Sequence, residues 1–255
     1  MEKSMQTITR AIQILKSFSR DEKEFSLAEL HHKLDLSKSS LQRILNTLVI
    51  NGFLEKDNKK KTYKLGIELY YLGKLVEEHS HLLTTAKPYL KDLRDRLGEN
   101  VYINIIENNE RKCIAFEEAK HALMTISYIG QKSPLYIGAS AKLLLAYLPP
   151  DRIEQYIQEI KLTPETDKTI VNRKKLQEEL DTIKEKGYAV SFGELVSGVF
   201  SVSAPIFDNR DNEVVAGISV SAPLVRVDES RIDYFISSIK ETADQISNKL
   251  KFGNF

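Results

Sequence analysis

One short segment, residues 37–48 (SKSSLQRILNTL), constrains the fold of this chain more than any other. Its apolar residues fall at helical spacing on one face: Leu41, Ile44, Leu45 and Leu48. Its polar residues share the opposite face: Lys38, Ser39, Gln42, Arg43 and Asn46. The segment therefore predicts an amphipathic helix whose outer face carries no Asp or Glu.

The residues before this segment predict a second helix and a tight turn. Ser26 and Glu29 have the spacing of a capping box, so a helix is expected to begin there and to run to about Leu34. Asp35 and Leu36 form the turn, and Ser37 is expected to cap the next helix. A preceding helix is predicted within residues 5–19, with its apolar side at Ile8, Ile12, Leu15 and Phe18. This order of elements predicts a helix-turn-helix.

A short hairpin is predicted directly after the helix-turn-helix. Gly52 ends the preceding helix, and residues 53–55 and 62–65 alternate like two strands around a polar turn. The hairpin would add a wing that carries Lys59, Lys60, Lys61 and Lys64. A lysine-rich loop by itself is usually only solvated, but beside a basic helix we expect contact with phosphates.

The side chains on the outer face of residues 37–48 are those that read DNA. Arg reaches guanine, Gln or Asn reaches adenine, and Lys and Ser bind phosphate. Residues 1–66 hold 13 Lys and Arg against 8 Asp and Glu, whereas residues 67–255 hold 24 against 28. A basic front favours contact with a polyanion, although such an excess also occurs on ordinary domains. The candidate DNA-binding residues are Ser37, Lys38, Ser39, Ser40, Gln42, Arg43, Asn46, Lys59, Lys60, Lys61 and Lys64.

The rest of the chain reads as α+β with an antiparallel sheet. A linker helix is predicted over 67–83, apolar enough at Leu72 and Leu75 to make dimer contacts, and another helix over 84–97. A hairpin is predicted at 101–118 around Asn108-Asn109, and a further strand near 123–129. Later helices are predicted at 139–148, 151–160, 172–186 and 228–250, and strands at 188–192, 198–206 and 213–221. Predicted domains are 1–66, 67–83 and 84–255.

Motifs in both parts resemble those of IclR-type transcriptional regulators. In the first part these are Ile8 to Leu15, Leu27 to Leu30, Leu36 to Leu48, Gly52 to Leu54 and Tyr63 to Gly66. In the second part they are Leu135 to Leu148, Lys186 to Val190, Gly193-Glu194, Gly198, Ala204 to Asp208 and Ala216 to Pro223. The resemblance covers nearly the whole chain. It implies an N-terminal winged helix-turn-helix, a linker helix and a GAF-like effector-binding domain.

The strands at 198–206 and 213–221 carry serines on one face by alternation. The residues alone favour serines that face solvent, whereas the resemblance implies a pocket for a small molecule. The effector-binding residues it implies are Ala139, Ser140, Ser191, Val199, Ser201, Ser219 and Ser221. Backbone N–H groups at the start of the 139–148 helix would suit a carboxylate.

Several positions depart from the family pattern. Ser201 stands where many relatives have Cys, Ser191 aligns with an Asp of some relatives, and Tyr136 replaces a frequent His. Ala141 stands where Gly usually precedes the helix lysine. These changes remove metal ligands, so we expect no bound metal and an uncharged, hydroxyl-rich pocket for a small organic acid or a sugar-derived metabolite.

The sequence gives little indication of an enzyme, a metalloprotein or a membrane protein. The single cysteine, Cys113, is expected to be a buried small residue, and Glu117-Glu118 and Glu178-Glu179 are expected to be solvated. The chain has no P-loop, GxSxG or HExxH motif, so no catalytic residue and no cofactor are predicted. No secretory segment or membrane-spanning run is seen, and a reducing cytoplasm is the expected location.

These observations predict a ligand-responsive DNA-binding regulator. The expected partners are a palindromic double-stranded DNA operator, a small-molecule effector, and further copies of the chain in a homodimer or a dimer of dimers. Repression is the expected role. The alternatives are an activator of the same family and a sensor that acts through protein partners.

Overall fold

The computed structural model describes residues 5–119, 128–208 and 213–252. The chain forms two compact units, Met1–Ser80 and His81–Phe255, and each is described by itself. Within the described ranges, no helix has both the length and the apolar character needed to cross a membrane.

The first unit is a winged helix-turn-helix, as predicted. Its elements are α1 (Gln6–Lys16), β1 (Phe25–Ser26), α2 (Leu27–Leu34), α3 (Lys38–Ile50), β2 (Leu54–Asp57), β3 (Thr62–Leu65) and α4 (Glu68–His79). The strands form an antiparallel sheet in the order β1-β3-β2, which adds one short strand to the predicted hairpin.

Local hydrogen bonds explain where the helices of this unit begin and end. The Ser26 N–H donates to Glu29 Oε2 at 2.6 Å, and the Glu29 N–H donates to Ser26 Oγ at 3.3 Å. This confirms the predicted capping box, and these hydrogen bonds lower the pKa of Glu29. Asp35 then adopts a left-handed backbone with φ 50°, which ends α2 and turns the chain toward α3.

The buried side of α1 differs from the predicted one. Ile14 is fully buried, with Ala11, Leu15 and Phe18 packed around the same core, whereas Ile8 and Ile12 are about half exposed. Of the apolar series predicted for this helix, Ile8 and Ile12 do not face the core, because α1 carries apolar side chains on two faces. The series Ala11, Ile14, Leu15 and Phe18 follows helical spacing and faces the core.

The second unit is an antiparallel sheet with helices on both faces. Its elements are α5 (His81–Leu97), β4 (Asn100–Glu107), β5 (Glu110–Glu117), β6 (Lys132–Pro134), α6 (Ala139–Ala146), α7 (Pro150–Glu159), α8 (Arg173–Lys186), β7 (Ala189–Phe192), β8 (Val199–Asp208), β9 (Glu213–Pro223) and α9 (Glu229–Phe252). The six strands are ordered β6-β5-β4-β9-β8-β7. The fold class therefore agrees with the prediction. The strand predicted near 123–129 lies largely outside the described residues.

The linker region is divided between two helices. A single helix was expected over 67–83, but α4 ends at His79 and α5 begins at His81. Ser80 between them has an extended backbone, with φ −84° and ψ 107°, and this conformation interrupts the helix.

The two faces of the large sheet have different chemistry. One face, with Val202, Ile218 and Val220, packs in a hydrophobic core against α5 and α9. The opposite face of the sheet packs against α6. Residues of α6, α7 and α8 form a second hydrophobic core on that side. Because side chains alternate along a strand, the serines of β8 and β9 fall on this second face.

Candidate nucleic-acid interface and ligand-binding face

The polar face of α3 lies at the surface of the first unit. Leu41, Ile44 and Leu45 are buried beneath it. The candidate residues Ser37, Lys38, Ser39, Arg43 and Asn46 are exposed, and Ser40 and Gln42 are half-buried. Ser37 Oγ accepts a hydrogen bond from the Ser40 N–H at 3.4 Å and so caps the helix. This surface is therefore available to an external partner.

Gln42 connects the helix to the wing. Its Nε2 donates to Asn46 Oδ1 at 2.8 Å and to the hydroxyl of Tyr63 at 3.1 Å. Tyr63 is buried in β3, so it holds one end of the Gln42 amide in place. The side chains on this part of the helix are thus oriented before any ligand arrives.

The cations of the first unit fall into two groups. Lys60 pairs with Glu24 at 3.1 Å and Lys64 pairs with Glu55 at 2.8 Å, and the hydrogen bond that Lys64 donates to Glu55 raises the pKa of Lys64. Both pairs are exposed and therefore weak. In contrast, no ion pair with a described residue involves the candidates Lys38, Arg43, Lys59 and Lys61. Their positive charges are free to meet phosphate.

The tip of the wing is shaped by Asp57. Its Oδ1 accepts hydrogen bonds from the backbone N–H groups of Lys59 at 2.8 Å and Lys60 at 3.0 Å. These bonds lower the pKa of Asp57, so its carboxylate stays ionised at neutral pH. Lys61 follows with a left-handed φ of 57°. The lysines are thereby presented on an ordered turn rather than on an unconstrained loop.

The predicted serines of the second unit lie side by side on the sheet. The strand register places Ser201 opposite both Ser191 and Ser221, and Ser203 opposite Ser219. Ser191, Ser219 and Ser221 are buried, and Ser201 and Val199 are half-buried. The alternative of solvent-facing serines is therefore wrong for the buried ones. We call Ser191, Ser201, Ser203, Ser219 and Ser221 the hydroxyl face.

Hydrogen bonds join the hydroxyl face to two residues of β4. Ser203 Oγ donates to the carbonyl of Ile218 at 2.9 Å and lies 2.9 Å from Ser219 Oγ. Asn104 Nδ2 donates to Ser219 Oγ at 3.2 Å. Tyr102 is hydrogen-bonded to Ser221, and burial raises the pKa of Tyr102 to about 12, so its hydroxyl is neutral at physiological pH.

Helix α6 covers part of this face at close range. A Cβ added at Gly217 would lie 3.1 Å from Leu143 Cδ2, so the missing side chain lets the helix approach β9. The candidates Ala139 and Ser140 form the first turn of α6, Ala139 buried and Ser140 half-buried. The N–H of Gly138, just before them, already donates to Glu194 Oε2 at 3.1 Å.

A buried ion cluster on α6 was not predicted from the sequence. Lys142 is 1% exposed, and its Nζ lies 2.6 Å from Glu194 Oε1 and 2.8 Å from Glu179 Oε1. Glu179 was therefore wrongly expected to be merely solvated, and Glu117 likewise pairs with Arg94 at 3.1 Å. A lysine within the apolar run ASAKLLLA could have indicated this cluster, since a buried ammonium needs a charged or hydrogen-bonding partner.

A buried arginine was missed as well. Arg111 on β5 is 4% exposed, and it donates from Nε to Ser133 Oγ at 2.7 Å and from Nη1 to Asn104 Oδ1 at 2.8 Å. Alternation within the predicted strand 111–118 places Arg111 on the same side as Cys113, which is buried as expected. The position of Arg111 two residues before Cys113 in a predicted strand could therefore have indicated that Arg111 is buried.

Comparisons with known proteins agree with both halves of this description. Residues 7–58 match the IclR helix-turn-helix domain, and residues 75–248 match the family described as bacterial transcriptional regulator IclR C-terminal. The HTH-type transcriptional regulator KipR of Bacillus subtilis is 31% identical over 99% of this chain and 100% of its own length. Other curated relatives are described as repressors.

Solved structures show the same fold. The crystal structure of the Thermotoga maritima IclR has a TM-score of 0.80, 31% identity, and coverage of 97% of this chain and 100% of its own. An IclR homolog from Microbacterium hydrocarbonoxydans, complexed with 4-hydroxybenzoate, has a TM-score of 0.85 at 20% identity and covers 96% and 99%. The chain belongs to the IclR family of bacterial DNA-binding transcriptional regulators.

Proposed function

We propose that this chain is a cytoplasmic repressor that binds a palindromic DNA operator and is controlled by a small molecule in its C-terminal unit. The observation that carries the proposal is the exposed, acid-free face of α3 beside a wing with free lysines. Arg43, Gln42 and Asn46 read base edges, whereas Lys38 and the residues that cap α3 bind phosphate. The remaining DNA contacts come from Lys59, Lys60, Lys61 and Lys64.

The operator is read by two copies of the chain. Helix α4 has no buried residue, and its exposed apolar side chains are Tyr70, Tyr71, Leu72, Leu75 and Val76. An exposed apolar surface of this kind supports an interface, here with a second copy, and dimers can pair further into a dimer of dimers. A two-fold dimer places its recognition helices about one helical turn of DNA apart, or a multiple of it.

The dimer is tested by charge reversal on α4. We expect the double variant Leu72→Glu and Leu75→Glu to halve the mass measured by sedimentation. Burying two unpaired charges in an apolar interface costs more free energy than dimer formation provides. Glu78→Lys, an exposed change on the same helix, is the control. An unchanged mass for the double variant would count against the interface.

The effector binds on the hydroxyl face, with the start of α6 beside it. The contacting residues are Ala139, Ser140, Ser191, Val199, Ser201, Ser219 and Ser221. Serine hydroxyls donate and accept, so they suit a small organic acid or a sugar-derived metabolite. Occupancy shifts the population of dimers between states that fit and misfit the operator, and this coupling makes DNA binding ligand-dependent.

Two variants test the DNA contacts. Arg43→Ala should lose about 1–3 kcal/mol at the selected operator and relax its sequence preference. Neutralising Lys59, Lys60 and Lys61 should weaken binding to every sequence and reduce its salt dependence. Lys132→Gln, a paired lysine of the second unit, is the control. A sensor that acts only through protein partners would show neither effect, and reporter expression that falls on deletion of the chain would indicate an activator.

A further inference from the structure

Four charged residues are buried among those that the structure describes, and three of them have ionic partners. Glu99 pairs with Arg226 at 2.6 Å and with Arg231 at 3.2 Å. Lys142 and Glu194 pair with each other at 2.6 Å. Arg111 is the fourth, and no described Asp or Glu forms an ion pair with it.

The neighbours of Arg111 are neutral. Its two hydrogen-bond acceptors are the hydroxyl of Ser133 and the amide oxygen of Asn104. Burial raises the pKa of Tyr102 to about 12 and that of Cys113 to about 11, so both are uncharged at physiological pH. The acids of β4 and β5 have other partners, because Glu107 pairs with Lys112, Glu110 with Lys132 and Glu117 with Arg94.

The guanidinium itself stays charged. Burial lowers the pKa of Arg111 from its ordinary value, but arginine remains protonated in proteins under physiological conditions. The undescribed segment 120–127 has the sequence KHALMTIS and so offers no carboxylate from its composition. A buried cation without a counter-charge is costly, and it is satisfied when an anion binds.

One nitrogen of Arg111 is available for such an anion. Nε and Nη1 are used, and no described residue accepts a hydrogen bond from Nη2. No described side-chain nitrogen or oxygen is both fully buried and unbonded, so Nη2 keeps access to space outside the protein atoms. Asn104 connects this arginine to Ser219, which places the free nitrogen at the edge of the hydroxyl face.

We propose that Arg111 binds the carboxylate of the effector, which is therefore an organic acid rather than a neutral sugar. The proposal rests on the proposed function, in which the second unit binds a small molecule. Among the described residues no carboxylate balances this guanidinium, and a carboxylate ligand matches its single positive charge. The neutral part of the molecule then contacts the serines.

The charge distribution around α6 agrees with this orientation. The carboxylate of Glu194 already accepts the Gly138 N–H at 3.1 Å, and Glu179 and Glu194 together outnumber Lys142. A ligand carboxylate at the start of α6 would be repelled by this negative charge. The acid end of the effector therefore lies toward Arg111, and its other end lies toward Ala139 and Ser140.

Thermal unfolding of the full chain with defined probes tests the proposal. The probes are acetate, pyruvate and 4-hydroxybenzoate at constant ionic strength, each compared with its neutral amide, and inorganic phosphate. A ligand that binds only the folded state raises the midpoint, by roughly 5–10 °C at a hundredfold excess over Kd. We expect at least one carboxylate to raise the wild-type midpoint, and its amide to have little effect.

Variants assign the response to Arg111. Arg111→Gln should abolish the shift, Arg111→Lys should keep part of it, and Lys112→Gln, a paired lysine on the same strand, should leave it unchanged. Circular dichroism checks that each variant is folded. If Arg111→Gln does not fold, Arg111→Lys is the test, and we expect the carboxylate to raise its midpoint less than that of the wild type. An equal shift in wild type and in a folded Arg111→Gln would overturn the proposal. So would equal shifts with acid and amide, a response to phosphate alone, or no response to any carboxylate.

The proposed function is judged separately. Retention of genomic DNA fragments by the wild-type chain, measured without any probe, tests the regulator. Failure there would leave the carboxylate response standing as a property of the second unit, whereas failure of the thermal shifts would leave DNA binding intact.

Discussion

Replacing Lys142 with methionine measures how strongly the buried ion cluster holds α6 in place. The change removes an ammonium that is 1% exposed and leaves the Glu194 side chain, 8% exposed, without its partner. Removing one member of a buried pair costs about 3–5 kcal/mol. We expect the lower end, about 3 kcal/mol, because Glu179 is 30% exposed and water can solvate it, and because Glu194 still accepts the Gly138 N–H.

The assay is thermal or urea unfolding of the full chain, followed for the second unit. At about 2–4 °C per kcal/mol for a unit of this size, Lys142→Met should lower the midpoint by roughly 6–12 °C. The double variant with Glu194→Gln should recover more than half of the loss, since it removes the unpaired charge as well. A loss below about 1 kcal/mol, or strictly additive effects in the double variant, would refute the reasoning.

Three further changes give independent checks. Ser26→Ala removes the capping box and should destabilise the first unit by about 1 kcal/mol in urea unfolding, and an unchanged midpoint would contradict the capping role. Gly217→Ala should cost about 1–3 kcal/mol because its Cβ would crowd Leu143. Gly73→Ala should stabilise α4 by about 0.5–1 kcal/mol, because no described atom outside the nearby backbone of α4 lies within 4 Å of the added Cβ. Cys113, whose pKa burial raises to about 11, should resist iodoacetamide at pH 8 until the chain unfolds, and rapid native labelling would show the thiol to be accessible.

Features that depend on neighbouring residues could be predicted from the sequence. The capping box at Ser26 and Glu29 and the cap at Ser37 operate within one helical turn, so the helix-turn-helix followed from short motifs. The Asn108-Asn109 hairpin also matched its signal, since both residues have positive φ and join β4 to β5. The alternation of serines on β8 and β9 was predicted for the same reason.

Features that depend on distant partners could not be predicted. Lys142 meets carboxylates 37 and 52 residues away, and nothing in the local pattern identifies those two among the many glutamates. The side-chain partners of Arg111 come from the two strands beside β5, Asn104 from β4 and Ser133 from β6. The face of α1 was ambiguous because two apolar series compete, and only the tertiary core selects the one that contains Ile14.

The two-sided sheet separates residues that maintain the fold from the serines that we propose as contacts for a ligand. The hydrophobic side, with Val202, Ile218 and Val220, is packed against α5 and α9. Each serine of β8 and β9 projects from the other side, so exchanging one for a neutral residue of similar size leaves that packing untouched. On the proposed function, a few substitutions among these serines would therefore change the effector while the folded architecture persists.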